Sequence, residues 1–328
     1  MPLDLLIPDL LATAGAPDEI RTTRLPALEK WLARADRSRH PGGRTAWIGV
    51  TWSLPDPVPV AAIELGREGL WLRADPVHLR VERQGVQLFA PAALGIAEDE
   101  AGALVDALNA HFGEDGLAFV ASASDRWHVE VPAGELPRTI APEQARGRDV
   151  ARVFPEGGGR ISWRRALTEA QMILGGHAVN ERREMARKPA INSVWFWGGG
   201  ALPARVASPY ASIASGDAFL RGLGRLSNTP VTPAPAAIAE VPDARGGEAR
   251  LVTLECLQAA LDGGDAQAWR DAALRLERDW FAPLGAAIAR FERVRLILPT
   301  AGDTLVATLV GAARWRLFRP ARPLATYA

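Results

Sequence analysis

Ala190-Ile-Asn-Ser-Val-Trp-Phe-Trp-Gly-Gly-Gly200 is the stretch on which the reading of the fold turns. Ala190 to Trp197 is apolar on both faces, as a central strand of a covered sheet should be. It runs into three consecutive glycines. Ligands of open α/β sheets bind beyond the carboxyl ends of strands, and glycine lets backbone N–H groups converge on an anion. Gly198, Gly199 and Gly200, with Asn192 earlier on the strand, are therefore candidate ligand-binding residues. The alternative is a flexible turn.

Working upstream, Trp163 to Arg187 reads as a long helix interrupted by Gly175-Gly176, with Pro189 just past its end. Helical spacing stacks His177, Asn180 and Arg183/Glu184 on the side that carries Ala170 and Leu174. A buried face that turns polar either lines a pocket or caps the helix end, with Arg183 paired to Glu184 or Glu169. Trp71-Leu-Arg-Ala-Asp-Pro-Val-His78 adds a third patch, in which alternation puts Arg73 and Asp75 on one face, opposite Leu72. A solvent-facing ion pair there would contribute little. A planar arginine fork suits phosphate or carboxylate. The candidate ligand set is thus Arg73, Asp75, His177, Asn180, Arg183, Asn192 and Gly198 to Gly200.

The rest of the chain alternates strand and helix. Leu3 to Ile7 suits a short buried strand, Leu25 to Ala35 a helix, Arg37 to Arg44 a basic loop, and Trp47 to Leu54 a β-like run. Three prolines in Pro55 to Pro59 suggest a boundary. Short apolar runs follow at Val60–Ile63, Leu70–Leu72 and Val86–Phe89. Glu98 to Phe112 is an amphipathic helix with acids at its N-terminus. Leu117–Val120 and Trp127–Val131 read as strands. Asn228 to Gly247, rich in Pro, Ala and Gly, reads as an ordered but irregular connection or a mobile loop. Strand 250–254, helix 266–291 and strand 294–298 come next, with a closing hairpin of Thr304–Val310 and Trp315–Phe318. The pattern predicts a discontinuous α/β core domain, residues 1–58 and 191–328, carrying an inserted α/β domain, residues 59–190.

The 328 residues are enough to bury about three quarters of the unfolded surface without a disulfide or metal staple. Lys+Arg and Asp+Glu are both 38, which argues against a nucleic-acid partner. The single cysteine, Cys256, precludes an internal disulfide and fits a reducing cytoplasm. It lies in an apolar strand context and reads as inert. No apolar run is long enough to span a membrane, and Met1-Pro2-Leu3-Asp4 lacks a basic signal-peptide start. A cytoplasmic location is expected. The five histidines show no HxH or HExxH spacing, and GxSxG and GxxxxGKS/T are absent. Asp265 reads as a helix cap.

The stretch from Thr168-Glu169 through His177, Asn180, Arg183-Glu184 and Ile191-Asn192 to Trp195-Phe-Trp197-Gly-Gly-Gly200 closely resembles bacterial RpfE-type regulatory proteins. Trp71 to His78, Leu25-Pro-Ala-Leu28 and Leu108-Asn-Ala-His-Phe112 match the same family. Arg187 departs from it, since the family usually has glycine there. That family in turn is similar to archaeal-type cofactor-independent phosphoglycerate mutases, of the alkaline-phosphatase-like superfamily. The resemblance implies an alkaline-phosphatase-like core sheet flanked by helices, with an inserted domain. Mutase chemistry needs two divalent metals and a Ser or Thr nucleophile. The places for the ligands read Ile7-Pro-Asp9-Leu-Leu11, Ala259 to Gly264 and Pro299 to Asp303, without a histidine. The resemblance therefore implies a catalytically degenerate protein, without metal or cofactor, that binds a phosphorylated or carboxylate small molecule or a protein partner. An active phosphomutase or phosphohydrolase with a rearranged metal site is the alternative, and an interaction module with a vestigial cleft is a third.

Overall fold

The computed structural model describes the chain apart from residues 1, 12–15, 83–84, 146–148, 151–152, 158, 243–247 and 317. Its strands, in chain order, are β1 (Pro2–Leu6), β2 (Asp36–Pro41), β3 (Leu70–Glu82), β4 (Gly85–Phe89), β5 (Ala118–Ala123), β6 (Arg126–Val131), β7 (Pro137–Arg138), β8 (Glu156–Gly157), β9 (Ser193–Ala201), β10 (Ser212–Ala214), β11 (Val231–Thr232), β12 (Arg250–Thr253), β13 (Arg293–Pro299) and β14 (Asp303–Val310). They fall into two compact units, residues 1–53 with 205–328, and residues 54–204.

The first unit holds a seven-stranded sheet of order β11-β10-β12-β1-β13-β14-β2. Its first five strands run parallel, β14 runs antiparallel to both of its neighbours, and β2 points the same way as the first five. All five residues of β1 are buried, as a strand covered on both faces requires. Leu3 and Leu5 join Leu296 and Leu298 of β13 and Trp269 and Ala273 of helix Ala266–Leu276 in one core. Asp4 is the polar exception. It accepts hydrogen bonds from the Tyr210 hydroxyl at 2.6 Å and from Arg295 at 2.7 Å, so its charge is matched inside the sheet.

The second unit holds a sheet of order β4-β3-β6-β5, with β9 pairing β3 antiparallel over Leu70–Val77. One face packs on helices Glu98–Phe112 and Trp163–Gly175 through Leu104, Leu108, Trp163 and Leu167. The other face meets helix Val60–Leu65 through Trp71 and Ala61.

Several expectations are corrected. Residues 191–204 belong to the second unit, not the core, because β9 makes its hydrogen bonds with β3. The basic loop at Arg37–Arg44 is instead the edge strand β2, unrecognised because none of its residues is buried. Trp47 to Leu54 is not β but lies largely in helix Arg44–Thr51, whose turn buries Trp47, Ile48 and, just past it, Trp52. The helix at 163–187 is two, since Gly176 ends the first and His177 caps the second, Ala178–Met185. The helix at 266–291 breaks beyond Leu276 into a π turn, Glu277–Phe281, and short turns after Pro283. Among the described residues β14 pairs with β13 and β2 rather than with the expected strand at Trp315–Phe318, where Trp315 ends a 3-10 turn and residue 317 lies outside the described residues. Of Asn228–Gly247, residues 243–247 lie outside the described residues. The preceding part holds β11 and a 3-10 turn at Ile238–Glu240.

Candidate functional site

Arg73 is the centre of the densest polar cluster. Alternation along β3 sends Trp71, Arg73 and Asp75 to the face covered by helix Val60–Leu65, and β6 delivers His128 directly opposite Arg73. Arg73 donates through Nη1 to both oxygens of Glu64, at 2.9 and 2.7 Å. Its Nε donates to Asp75 Oδ1 at 2.7 Å, and its Nη2 lies 2.5 Å from the same oxygen. Trp197 Nε1 donates to Asp75 Oδ2 at 2.6 Å, and the guanidinium lies 5.4 Å from the indole centre. His128 Nε2 lies 3.0 Å from Glu64 Oε2, while its buried Nδ1 meets no hydrogen-bond partner among the described residues.

The electrostatics follow from this geometry. Burial would raise the Glu64 pKa, but the Arg73 charge and the His128 hydrogen bond together hold it down at about 2. Asp75 is pushed up from the usual carboxylate range by burial, which Arg73 and Trp197 only partly oppose. Burial also lowers His128, against the pull of Glu64. Both ends of the Arg73 fork are filled by carboxylates, so an incoming anion would have to displace one of them.

The other expected ligand residues lie elsewhere in the same unit and are internally bonded. Arg183 is buried, pairs with Glu100 at 2.6 Å rather than with Glu184 or Glu169, and donates to the carbonyls of Pro189 and Leu94. Asn180 donates to the carbonyls of Leu174 at 2.6 Å and Ile191 at 2.8 Å, and accepts from Ile191 N–H at 2.8 Å. It locks the helix to the start of β9. His177 accepts from Val179 N–H at 3.2 Å as a helix cap. Asn192 bonds both main-chain groups of Leu79, at 2.8 and 2.9 Å, extending the sheet ladder by a side chain. A Cβ at Gly198, Gly199 or Gly200 would lie 2.9 Å from Val60, 2.5 Å from Leu72 or 2.6 Å from Pro59. The missing Cβ at those glycines makes room for neighbouring side chains. Glu64, His128 and Trp197 went unrecognised as site residues because a helix and two further strands bring them to Arg73. Only alternation on β6, with Trp127 and Val129 facing the core, sets His128 apart.

The first unit offers a second polar constellation, at the carboxyl ends of its parallel strands. Adjacent β10 and β12 lead away in opposite senses, β10 outward to β11 and β12 across β1 to β13, the arrangement at which open sheets bind ligands. Ser215 donates to Glu255 Oε1 at 3.0 Å, and Thr253 lies 2.7 Å from Ser215 Oγ and 2.8 Å from the same carboxylate oxygen. Asp217 pairs with Arg44 at 2.6 Å and caps Leu220 N–H at 2.8 Å. Beyond β13, Asp303 accepts from Arg39 at 2.5 Å and Thr300 at 2.8 Å. These carboxylates are committed to arginines, hydroxyls and amides. Among the described residues no group of three or more His, Cys, Asp or Glu is placed to hold a metal ion. The residues present here do not fit a pair of divalent metals. Asp265 caps the next helix through Ala268 N–H at 2.8 Å. Cys256 lies in the turn after β12, not within the strand; the residue is exposed overall, and the partial desolvation of its thiol pushes the pKa up.

Fold and strand-end geometry define a mixed α/β protein of two units. No family model matches the chain. The 2,3-bisphosphoglycerate-independent phosphoglycerate mutases of Methanosarcina barkeri and Methanosarcina mazei are each 26% identical to it, over 151 and 149 residues. These alignments cover 44% of this chain and 37% of each mutase, so the match spans little more than a third of the curated relatives' length. The chain is a distant relative of these mutases. Among solved structures, the PH0037 protein from Pyrococcus horikoshii matches with a TM-score of 0.52 at 15% identity, covering 99% of this chain and 92% of that one. A cofactor-independent phosphoglycerate mutase from Thermoplasma acidophilum gives 0.39 at 16%, covering 94% and 89%. Among the described residues no helix is long and apolar enough to cross a membrane.

Proposed function

We propose that this chain is a catalytically degenerate, phosphoglycerate-mutase-like protein of alkaline-phosphatase-like ancestry, with a regulatory or ligand-binding role of the RpfE type. The observation that carries the reading is the commitment of Asp217, Glu255 and Asp303 to Arg44, Ser215, Thr253, Thr300 and Arg39. Ground-state recognition survives the loss of a reaction, because binding and bond-breaking use different groups. A phosphorylated or carboxylate small molecule is the ligand class carried forward, and a protein partner the other route to regulation. Elemental analysis with a mutase assay tests the core of the reading. The expected result is no stoichiometric zinc or manganese and no interconversion of 2- and 3-phosphoglycerate. Two metals per chain, with turnover abolished by chelator, would overturn it.

The sequence relationship to the Methanosarcina enzymes favours a second reading, an active mutase or phosphohydrolase with a rearranged metal site. Thermal shift against phosphate, sulfate and phosphorylated metabolites separates ligand binding from stability. Arg73→Ala and Arg183→Ala should lower the melting temperature and leave any ligand-induced shift intact, because both side chains are internally paired.

A further inference from the structure

The outer edge of the seven-stranded sheet carries a feature that no reading of the reaction uses. Among the described residues β2 pairs with β14 alone, so one side of its backbone N–H and C=O groups faces away from the sheet, and all six of its residues are exposed. Arg37 and Arg39 project from one face. Arg316 and Arg319 clasp the start of the strand: Arg316 donates to the Arg34 carbonyl at 2.9 Å and Arg319 to the Ala35 carbonyl at 3.0 Å. Arg322 follows, exposed. The nearby acids are already matched, Asp36 by Arg316 at 2.7 and 2.9 Å and Asp303 by Arg39. Five arginines against two aspartates leave a local positive excess on a chain whose total charge is zero. Beside them Trp315 is 68% exposed and Phe318 99% exposed.

We propose that this edge docks an extended acidic segment of another protein, which adds to the sheet as a further strand beside β2. The backbone groups of β2 ask for a polypeptide, since a lipid surface offers no matching ladder of donors and acceptors. The arginines repel basic strands and admit acidic ones, so charge sets the sign of the partner. Charge on an edge also serves to prevent pairing, but a purely guarded edge has no use for two exposed aromatics. Trp and Arg are the residues that dominate binding energy at interfaces. The inference stands whichever reading of the reaction holds, because none of these residues lies among the strand-end carboxylates and hydroxyls except through Arg39.

A fluorescein-labelled peptide of four Glu-Val repeats is the probe, measured by anisotropy on the full chain. Controls are a Lys-Val peptide, a Glu-Val peptide N-methylated at alternate residues, and phosphatidylserine vesicles. The Glu-Val peptide should bind, and Phe318→Ser or the double variant Arg37→Glu, Arg322→Glu should weaken it at least tenfold without moving the melting temperature by more than a degree or two. Both control peptides should fail, and hydrogen exchange should slow at residues 36–41 when the Glu-Val peptide is added. Equal binding of the methylated peptide, protection elsewhere than β2, or no binding at millimolar peptide would overturn the proposal. Vesicle binding that needs Phe318, without peptide binding, would overturn it in favour of a membrane.

Discussion

Arg73 shows how a surface-looking pair becomes a buried charge cluster. Removing the guanidinium leaves Glu64 and Asp75 without a cation in a site where each is nearly inaccessible. Breaking a buried ion pair from one side costs about 3–5 kcal/mol, and Arg73→Ala should lower stability by that order in denaturant unfolding. Glu64 ties the same cluster to pH. Its pKa is about 2 folded against an ordinary 4.5, so its contribution is complete above pH 4.5 and is lost as pH falls toward 2. The shift corresponds to a contribution on the order of 3 kcal/mol. His128, whose pKa is lowered, works in the same direction, its contribution being present above 6.5 and lost as pH falls through the folded value. Asp75, whose pKa is raised, has the opposite sign, its contribution being present below 3.8 and lost as pH rises through the folded value. The Glu64 share should therefore appear as an acid limb below pH 4.5 that is steeper in the wild type than in Glu64→Gln. A wild-type curve as flat as that of Glu64→Gln between pH 4.5 and 3 would remove Glu64 from this account.

At the scale of elements, glycines and turns divide by what surrounds them. Gly199→Ala places a methyl 2.5 Å from Leu72 Cδ2 and 3.1 Å from Leu136 Cδ2. Overpacking of that kind costs about 1–3 kcal/mol. Gly102, inside helix Glu98–Phe112, has nothing within 4 Å of an added Cβ. Gly102→Ala should stabilise by about 0.5–1 kcal/mol through helix propensity. Helix Ala178–Met185 closes with Lys188 N–H on the Arg183 carbonyl at 2.8 Å, which forces Arg187 to φ +56°. A side chain in that left-handed region costs about 1–2 kcal/mol, which explains why glycine suits the position. Arg187→Gly should raise the melting midpoint, and an unchanged or lower midpoint would count against the strain.

For the whole molecule, two units with separate cores predict departure from two-state unfolding. Scanning calorimetry should resolve more than one transition. Arg73→Ala and Leu104→Ala should shift one of them, and Leu296→Ala another. A single transition that all three variants move together would show that the units unfold as one. The same division separates the reading of function from the fold, since the candidate residues of the mutase resemblance lie in the second unit and the strand-end carboxylates in the first.

Local pattern alone determined the elements whose period is expressed in buried residues. Helix Glu98–Phe112, strand β1 and the alternating strand β6 are legible because each buries one face or both, and Asp265 is legible as a cap because capping needs only its own helix. Tertiary structure decided the rest. β2 carries no apolar residue, so only pairing with β14 makes it a strand. Arg183, Arg73 and Gly198 to Gly200 look ligand-facing in sequence, because the groups that fill them are remote: Glu100, Glu64, Val60, Leu72 and Pro59. A fork, a carboxylate or a bare Cα announces only what it can accept. Which partner reaches it is a matter of packing across elements, and packing is written in no single stretch of the chain.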